Sequence, residues 1–565
     1  MRNILIGGAW PYANGPLHIG HIASLLPGDV LARYHRAAGD RVCYVSGSDC
    51  HGTPVALRAK QEGRTPQEVS DFYHEGFVRD FEGLGFSYDA YLKTSSPEHR
   101  AFVQEFHKKL YESGYVYEKE TPQAYCSSCN TFLADRFVTG KCPHCGADAR
   151  GDQCDACGTI LEPENLVDPI CAVCKKPVEF RNSKHLYLAV SRMEAKLRAL
   201  AASPLWRKNA VSFTERYIGE GLRDRALTRD LAWGIPVPKD GYEEKTIYIW
   251  AENVLGYLSM SQVASPREED FRELWEPAAK HYYVHGKDNI PFHTIILPAL
   301  LIANGEGWHL PDQIVSSEYV TLEGRKISTS QSYAIWAHDL LERYEPDSIR
   351  YYFLANGPEK RDADFSWREF VNSHNGELLG AYGNFINRTL AFVTRYLDGV
   401  VPGREDRCAD DENECQAVHI QDGDAPEKDS DDENQHRIAS LYETVAQKIE
   451  AGEFREALRQ IFNFVHFANK YFDSAQPWVT RTSDPQACAA TIYECVQFAA
   501  NLAVVLYPFL PFSSEKVCGW LGIDHAWHPH RIEPGYHLPP TDILFRRLDR
   551  RVVDEELERL KEVCS

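Results

Sequence analysis

The chain has 565 residues, a formal net charge of −21 and 43% hydrophobic residues. This length predicts several domains with large cores, and the charge argues against a general polyanion binder. No uninterrupted apolar run reaches the roughly 18–20 residues of a membrane span, and the N-terminus lacks the features of a secretory signal. We therefore expect a cytoplasmic protein with no membrane partner.

The first predicted element is a short apolar strand, Ile4–Gly8, which leads through Pro11 into a helix that begins near His18. His18, Gly20 and His21 then lie at a helix N-terminus, where free backbone N–H groups and the helix dipole attract phosphate. Gly20 has no side chain, so a flat nucleoside can approach the backbone closely. The pattern predicts a nucleotide site, although two histidines at this spacing are more often a surface or core pair.

The second predicted strand, Arg41–Val45, is followed by a loop that carries Asp49 beside several glycines. Because ligands bind at the carboxyl ends of parallel strands, a carboxylate here suits a ligand ammonium group. Capping of a turn is the alternative role, and it is a common one for Asp in loops.

Eight of the sixteen cysteines form four C-x-x-C pairs: Cys126/Cys129, Cys142/Cys145, Cys154/Cys157 and Cys171/Cys174. In a cytoplasmic chain this spacing indicates zinc knuckles rather than disulfides. Tetrahedral zinc takes four thiolates, so four pairs predict two sites of the Cys₄ type. Full thiolate coordination leaves no open position, so the predicted zinc ions are structural.

Three further strand-like segments, Ile247–Trp250, His281–His285 and Gln313–Ser316, follow the cysteine-rich region. Helical patterns separate several of the five strands, and this alternation predicts a doubly wound parallel sheet. The strands fall into two groups, so an insertion splits one nucleotide-binding domain. The predicted fold class is α/β, with a split Rossmann-like catalytic domain, a zinc-knuckle insertion and a following α-helical bundle.

The segment Lys326–Ser330 reads Lys-Ile-Ser-Thr-Ser. Small hydroxyl side chains with one lysine are the composition of a mobile phosphate-binding loop. Alone, such a segment is usually an ordinary loop. The segment indicates a phosphate-binding role only in combination with the histidine segment near the N-terminus.

Beyond Ser366, amphipathic patterns predict helices at Glu369–Leu397, Ile438–Asp473 and Gln486–Leu506. An acidic segment at about 401–436 interrupts them, and we expect it to be disordered. The predicted domains are the two catalytic halves at 1–114 and 236–365, the insertion at 115–235 and the helical domain at 366–565.

Within the predicted helical domain, Asn384 and Arg388 lie one helical turn apart on the same face. Trp478 follows Pro477 and offers a ring for stacking. Unpaired RNA bases are recognised by stacking and by hydrogen bonds to their edges. The alternative interpretation is a surface pair and a core tryptophan.

Taken together, Pro11–His21 and Lys326–Ser330 resemble the HIGH and KMSKS signatures of class I aminoacyl-tRNA synthetases. Across residues 1–398, and more weakly to the end, the chain resembles the methionyl-tRNA synthetase family. The resemblance implies ATP-dependent formation of methionyl-adenylate and transfer of methionine to tRNA(Met). It also implies methionine, ATP and tRNA(Met) as partners, Mg²⁺ and two structural Zn²⁺ ions as cofactors, and a monomer.

The resemblance assigns roles to individual residues. The implied catalytic residues are His18, Gly20, His21 and Lys326. The implied ATP-binding residues are Pro11, His18, His21, Asp288, Lys326, Ser328, Thr329 and Ser330. The implied methionine-binding residues are Tyr12, Asp49, Trp250, Asn253, Tyr257 and His293, and those for the anticodon are Asn384, Arg388 and Trp478. One zinc ion would bind Cys142, Cys145, Cys154 and Cys157, and the other Cys126, Cys129, Cys171 and Cys174.

Four residues depart from the family pattern. The family typically has Leu at Trp10 and Ala-Pro at Asn253-Val254, and the second lysine of the KMSKS signature is Thr329 here. Two alternatives therefore stay open: a class I synthetase for another amino acid or a non-tRNA acceptor, and a zinc-containing RNA-binding protein without catalysis. Small nucleotidyltransferases carry a related His-x-Gly-His segment, but they are much shorter and do not require the cysteine array.

Overall fold

The computed structural model describes residues 1–133, 137–151, 154, 156–157, 159, 161–329, 332–403 and 431–564. Ser330 lies outside the described residues, and so does most of the acidic segment whose disorder the sequence predicts.

A five-stranded parallel sheet forms the centre of the catalytic region. Its strands are β1 (Asn3–Gly8), β2 (Arg41–Ser48), β3 (Ala90–Lys93), β4 (Lys280–Gly286) and β5 (Gln313–Ser317). Their order is β5-β4-β1-β2-β3, with Ile4 opposite Lys280 on one side of β1 and Asn3 opposite Arg41 on the other. The predicted doubly wound parallel sheet is confirmed. The strand order reverses between β1 and β4, so a ligand crevice is expected at their carboxyl ends.

Two strand predictions differ from the structure. Ile247–Trp250 is not a strand of the sheet: Thr246–Ile247 pairs antiparallel with Thr228–Arg229, and Ile249–Ala251 is a 3₁₀ turn. An apolar run of four residues cannot distinguish a strand from a buried turn. Strand β3 was not predicted from the sequence, because its four residues are only half-buried at the edge of the sheet.

Helices cover both faces of the sheet. The first, α1 (Ile19–Ala37), follows β1 directly and begins at His18 as its N-cap. The other helices of the two catalytic halves are Thr53–Glu62, Pro66–Gly83, Pro97–Glu112, Gly256–Ala264, Glu268–Leu274, Leu297–Asn304, Ala337–Arg343 and Pro346–Asn356, with a π-helical turn at Phe292–Ile296. A small sheet of Val320–Leu322, Arg325–Lys326 and Ala363–Phe365 lies after β5.

The insertion has its own small core. One antiparallel sheet contains Val116–Cys126, Thr131–Phe132, Glu179–Leu188 and Arg225–Ala226, and a second contains Val138–Lys141, Asp148–Arg150 and Val167–Cys171. The helices Glu194–Ala201 and Lys208–Gly219 follow. The core of the cysteine-rich part consists of a few aliphatic side chains and buried cysteines. So few apolar side chains give little hydrophobic stabilisation, which is the situation in which a structural metal is needed.

The C-terminal region is helical. The predicted helix Glu369–Leu397 is observed as Trp367–Ser373, a π-helical stretch His374–Gly383 and Asn384–Tyr396. The predicted amphipathic segment Ile438–Asp473 is observed as parts of two helices, Asp431–Glu450 and Phe454–Ala475, which meet at Gly452 with φ of 72°. The remaining helices are Pro477–Ser483, Pro485–Leu506, Pro511–Leu521 and Arg551–Cys564.

The helix Pro485–Leu506 is long and apolar enough to cross a membrane by length and composition. However, 89% of its most apolar window is buried inside the protein. It packs against Phe454–Ala475, Asn384–Tyr396 and Pro511–Leu521. Its apolar character is thus explained by its position at the centre of the helical region.

Candidate active site

Two histidine side chains cap the N-terminus of α1 at the carboxyl end of β1. His18 Nδ1 accepts a hydrogen bond from the Gly20 backbone N–H at 3.0 Å, and His21 Nδ1 accepts one from the His18 N–H at 3.1 Å. The ring centroids lie 4.0 Å apart. The sequence therefore places both imidazoles on the first turn, and backbone hydrogen bonds fix their orientation.

These hydrogen bonds determine the protonation of both rings. A neutral imidazole that accepts at Nδ1 carries its proton at Nε2, which leaves an N–H donor on each ring for a ligand. Burial lowers the pKa of His18 to about 4. Burial and the neighbouring His18 lower the pKa of His21 well below its usual value. At neutral pH the pair is therefore an uncharged double donor next to the positive end of the α1 dipole.

The backbone joins the two signature segments. His18 forms an antiparallel bridge with Trp336, and the Ala337 N–H donates to the Leu17 carbonyl at 2.8 Å. Trp336 lies six residues beyond the Lys326–Ser330 loop. The Ser328–Tyr333 bridge closes that loop, in which Lys326 and Thr329 are exposed. The histidine pair and the base of the loop are therefore held in one unit.

Asp49 is buried at the carboxyl end of β2, with 1% of its surface exposed. Its Oδ2 accepts a hydrogen bond from Asn253 Nδ2 at 3.0 Å, while Oδ1 has no hydrogen-bond partner within the described residues. Tyr12 is its parallel bridge partner, and the Asp49 N–H donates to the Pro11 carbonyl at 2.8 Å. Burial and the nearby negative charge of Glu252 raise the pKa of Asp49 well above its usual value. An incoming cation would relieve both effects.

Two further residues of this cluster, His51 and Glu252, were not predicted from the sequence. His51 Nδ1 is hydrogen-bonded to Glu252 Oε1, whereas Glu252 Oε2 and Asn253 Oδ1 have no partner within the described residues. Together with Asp49 Oδ1, three buried acceptors therefore lack donors. Unsatisfied buried acceptors are costly, so this arrangement favours a ligand that brings several N–H donors, such as an ammonium group.

Tyr257, His293, Trp250 and Phe292 form an aromatic wall, which adjoins the carboxylate cluster of Asp49 and Glu252. Tyr257 donates its hydroxyl to His293 Nε2 at 2.7 Å, because His293 Nδ1 already donates to the Asn289 carbonyl at 2.8 Å. Trp250 stands edge-to-face against Phe292, with ring centroids 4.7 Å apart. Tyr257 and His293 are fully buried, whereas Trp250 is partly exposed.

Trp10 fits between two glycines of this site. A Cβ atom at Gly47 or at Gly256 would clash with the Trp10 ring, so both positions require the absence of a side chain. The ring also meets Tyr257 edge-to-face, with centroids 6.2 Å apart. The two glycines therefore leave room for the Trp10 side chain, which departs from the family pattern, and its ring extends the aromatic wall.

Asp288 lies in the 3₁₀ turn Lys287–Asn289, directly after β4, and is exposed. It accepts a hydrogen bond from the Tyr319 hydroxyl. Beside it, Lys287 pairs with Glu318 and Asp362, both at 2.7 Å. The carboxyl ends of β4 and β5 are thus joined by a polar network at the crevice.

The eight paired cysteines form two clusters, and all eight are free of disulfide bonds. Four sulfur atoms lie within 4.8 Å of one another in each cluster: Cys126, Cys129, Cys171 and Cys174 in one, and Cys142, Cys145, Cys154 and Cys157 in the other. The pairing that the family resemblance implies matches these groups.

The sulfur geometry fits tetrahedral zinc. The sulfur–sulfur distance is 3.4 Å for Cys126–Cys174, 3.8 Å for Cys142–Cys157 and 3.6 Å for Cys145–Cys154. Four sulfurs at the usual zinc–thiolate distance lie about 3.8 Å apart. The residue after the second cysteine is described for three of the pairs, and in each of them it has a positive φ, at Asn130, Gly146 and Lys175. These tight turns fold the chain around each sulfur pair.

The three predicted anticodon residues lie on one side of the helical region. The guanidinium of Arg388 is 4.0 Å from the Phe472 ring centroid and 5.9 Å from that of Trp478. It also pairs with Asp473 at 2.6 Å. Trp478 is 48% exposed, and Asn384 is exposed one turn before Arg388. Trp478 is thus a surface ring, which contradicts the alternative of a core tryptophan.

Two family models cover most of the chain. The model described as tRNA synthetases class I (M) matches residues 4–390, and that of the anticodon binding domain of methionyl tRNA ligase matches residues 422–562. The methionine–tRNA ligase of Bacillus cereus strain 03BB102 is 50% identical over 99% of both chains. The chain belongs to the methionine–tRNA ligase family.

Other members of the methionine–tRNA ligase family agree with this assignment. Methionine–tRNA ligase 1 of Alkaliphilus oremlandii strain OhILAs is 50% identical over 99% of both chains. The structure of Mycobacterium tuberculosis methionyl-tRNA synthetase in complex with methionyl-adenylate superimposes with a TM-score of 0.78 and 25% identity. It covers 97% of this chain and 100% of the other. A small nucleotidyltransferase is therefore excluded, since the family match extends over the full length.

Proposed function

We propose that the protein is a methionine–tRNA ligase, which activates methionine with ATP and transfers it to tRNA(Met). The observation that carries the proposal is the joint position of the α1 histidine pair and the buried Asp49 cluster at the carboxyl ends of β1 and β2. The histidine pair offers uncharged N–H donors to phosphate, and the Asp49 cluster offers unpaired acceptors to an ammonium group. An amino-acid adenylate contains a phosphate and an ammonium group, so it needs both kinds of contact.

The amino acid is held first by its charged end. The methionine ammonium group binds Asp49, whose Oδ1 lacks a donor within the described residues, and the hydrogen bond from Asn253 favours the ionised carboxylate. Tyr12, Trp250, Tyr257 and His293 surround the thioether chain. Aromatic rings suit this role, because the polarizable sulfur makes favourable contacts with them.

ATP binds across the crevice. The Nε2–H groups of His18 and His21 donate to the phosphates, and Gly20 and Pro11 let the nucleotide approach the backbone. Asp288 contacts the adenosine, and Lys326, Ser328, Thr329 and Ser330 close over the pyrophosphate. ATP enters as its Mg²⁺ complex, in which the metal offsets part of the triphosphate charge.

The methionine carboxylate then attacks the α-phosphorus of ATP, and the bond to pyrophosphate breaks. No general base is required, because the nucleophile is already ionised at neutral pH. Catalysis therefore consists of positioning the reactants and stabilising the developing phosphate charge. In the second step a terminal ribose hydroxyl of tRNA attacks the acyl carbon and AMP leaves.

The tRNA anticodon binds the helical region, and the zinc ions bind the insertion. Asn384, Arg388 and Trp478 recognise the anticodon, with the Trp478 ring as a stacking surface. Each Cys₄ cluster holds one structural Zn²⁺, which stabilises a part of the insertion that has little core of its own. The enzyme is expected to act in the cytoplasm as a monomer.

ATP–pyrophosphate exchange measured with each of the twenty amino acids tests the proposal. Exchange that depends on methionine supports it. Exchange with a different amino acid would support a synthetase of altered specificity, for which Trp10 and Asn253 are the candidate determinants. No exchange, combined with intact tRNA binding, would support an RNA-binding protein without catalysis. Norleucine should be the strongest competitor, because purely apolar differences give only about 1–3 kcal/mol of discrimination.

A further inference from the structure

A histidine-rich loop lies between the helix Pro511–Leu521 and the C-terminal segment, apart from both cysteine clusters. Asp524, His528 and His530 each offer a ligand atom, and these atoms lie within 4.8 Å of one another. His528 and Asp524 are exposed, whereas His530 is partly buried. A carboxylate oxygen and two imidazole nitrogens are donors that divalent transition-metal ions prefer.

The two imidazoles are oriented by backbone carbonyl groups. His528 Nδ1 lies 3.1 Å from the Pro529 carbonyl oxygen, so this nitrogen donates and Nε2 keeps its lone pair. His530 Nε2 lies 3.0 Å from the Ala526 carbonyl oxygen and 3.6 Å from Asp524 Oδ1. The two rings stack with centroids 4.4 Å apart. The carbonyl that contacts His528 Nδ1 fixes the second nitrogen of this ring, as is typical of metal ligands. In His530, an ion bound at Nε2 would replace the contact of this nitrogen with the Ala526 carbonyl.

The loop backbone is held by two rigid helices. The Asn501 side chain accepts from the His530 N–H at 2.8 Å and donates to the His530 carbonyl at 2.9 Å. The Trp527 N–H donates to the carbonyl of Ala37 at the end of α1, at 2.8 Å. Asp524 Oδ1 accepts from the Ala526 N–H at 3.0 Å. The ligand atoms are therefore preorganised, which reduces the ordering cost of binding an ion.

We propose that Asp524, His528 and His530 form a third metal site, which binds one divalent transition-metal ion such as Zn²⁺. Three protein ligands leave a position for water, and the exposed Asp524 allows the ion to exchange with solvent. Because the loop contacts both Asn501 of the helical region and Ala37 of α1, the ion stabilises the contact between these two regions. This proposal does not depend on the proposed enzymatic function.

The test uses the full chain with both cysteine clusters loaded with zinc. Further Zn²⁺ is titrated in competition with a chromophoric chelator. We expect one additional ion per chain, with affinity reduced at least about tenfold in His528→Ala and in Asp524→Asn. The matched control His436→Ala removes an exposed histidine from another helix and should bind the third ion like the wild type. A wild-type protein that binds no third ion, or a His528→Ala variant that binds it unchanged, would overturn the proposal.

Two further measurements identify the site and its effect. Co²⁺ bound there should show only the visible bands of nitrogen and oxygen ligands, without the thiolate charge-transfer bands of a cysteine site. Added Zn²⁺ should raise the Tm of the wild type and of His436→Ala but not that of His528→Ala. Thiolate bands from the third ion would place it at cysteine and contradict the assignment.

Discussion

Asn253 donates its side-chain amide to Asp49 Oδ2 at 3.0 Å, across 204 residues of sequence. The contact joins the loop after β2 to the 3₁₀ turn at Asn253–Leu255. Burial and Glu252 oppose ionisation of Asp49, whereas the Asn253 amide lowers its pKa. A residue that departs from the family pattern thus supports the carboxylate that holds the substrate ammonium group in our proposal.

Replacement of Asn253 by Ala should therefore weaken methionine activation. A hydrogen bond to a charged group is worth about 1.5–3 kcal/mol, so kcat/KM for methionine should fall at least about tenfold. Loss of the amide raises the pKa of Asp49, so activity on the acid side of the pH profile should disappear at a higher pH than in the wild type. Asn384→Ala is the control and should change neither quantity. An Asn253→Ala enzyme with an unchanged KM and pH profile would contradict this role.

Replacement of His21 by Ala should slow adenylate formation far more than it weakens methionine binding. The variant loses one donor that stabilises charge on the phosphates, a contribution of roughly 10²–10³ in rate. Pre-steady-state adenylate formation and equilibrium methionine binding measure the two effects separately. His144→Ala, which removes an exposed histidine of the insertion, should behave like the wild type. Near-normal exchange kinetics in a folded His21→Ala protein would contradict the assignment of His21 as a donor to the phosphates.

Replacement of Trp478 by Ala should impair aminoacylation without affecting activation. Base–aromatic stacking is worth about 1–3 kcal/mol, so the KM for tRNA should rise about fivefold or more. ATP–pyrophosphate exchange in the absence of tRNA should stay unchanged. Phe72 is an exposed aromatic residue of the catalytic half, and Phe72→Ala should leave both reactions intact. Equal loss of exchange and aminoacylation in Trp478→Ala would indicate a structural role instead.

Metal analysis of the purified chain should find two tightly bound zinc ions. Cys126→Ser should lose one of them, because three thiolates and a hydroxyl hold zinc less well than four thiolates. The control Cys488→Ser changes a buried cysteine outside both clusters and should retain two ions. One ion or none in the fully loaded wild type would overturn the two-site arrangement.

Acid should destabilise the fold through buried neutral histidines. Burial lowers the pKa of His107 to about 4, while its Nε2 contacts the Ala251 carbonyl at 2.9 Å. The unfolded histidine, with a pKa near 6.5, binds a proton that the folded one does not, so stability is lost as the pH falls from about 6.5 to 4.

His107→Gln keeps a donor for the Ala251 carbonyl but does not titrate. Denaturant unfolding at several pH values gives the free energy of unfolding as a function of pH. Between about pH 4 and 6.5, the slope of this function should be smaller in His107→Gln than in the wild type, by up to about 1.4 kcal/mol per pH unit. His436→Gln, at an exposed position, should leave the slope unchanged. Identical slopes for His107→Gln and the wild type would show that His107 does not contribute.

Local sequence patterns were sufficient to predict many structural elements of this protein. The strand–helix junction at His18 follows from an apolar run and a capping segment, and both depend on neighbouring residues only. The C-x-x-C spacing likewise determines its own turn, since each pair bends the chain around two sulfurs. The helix Gln486–Leu506 was predicted within one residue of its observed start, because its amphipathic pattern is long and contains no Gly or Pro.

Other features required the tertiary structure. Glu252 and His51 meet only because the sheet brings two distant loops together, and neither residue has a local signal. Ile247–Trp250 has the composition of a strand, but only Ile247 pairs with a neighbouring strand, and Ile249–Ala251 is a 3₁₀ turn. Trp10 is accommodated only because Gly47 and Gly256 flank it. The amino-acid sequence by itself determined which residues bear the chemistry and the elements that carry them. The charge balance and shape of the pocket were decided by long-range packing, because burial and neighbouring charges come from residues far away in the chain.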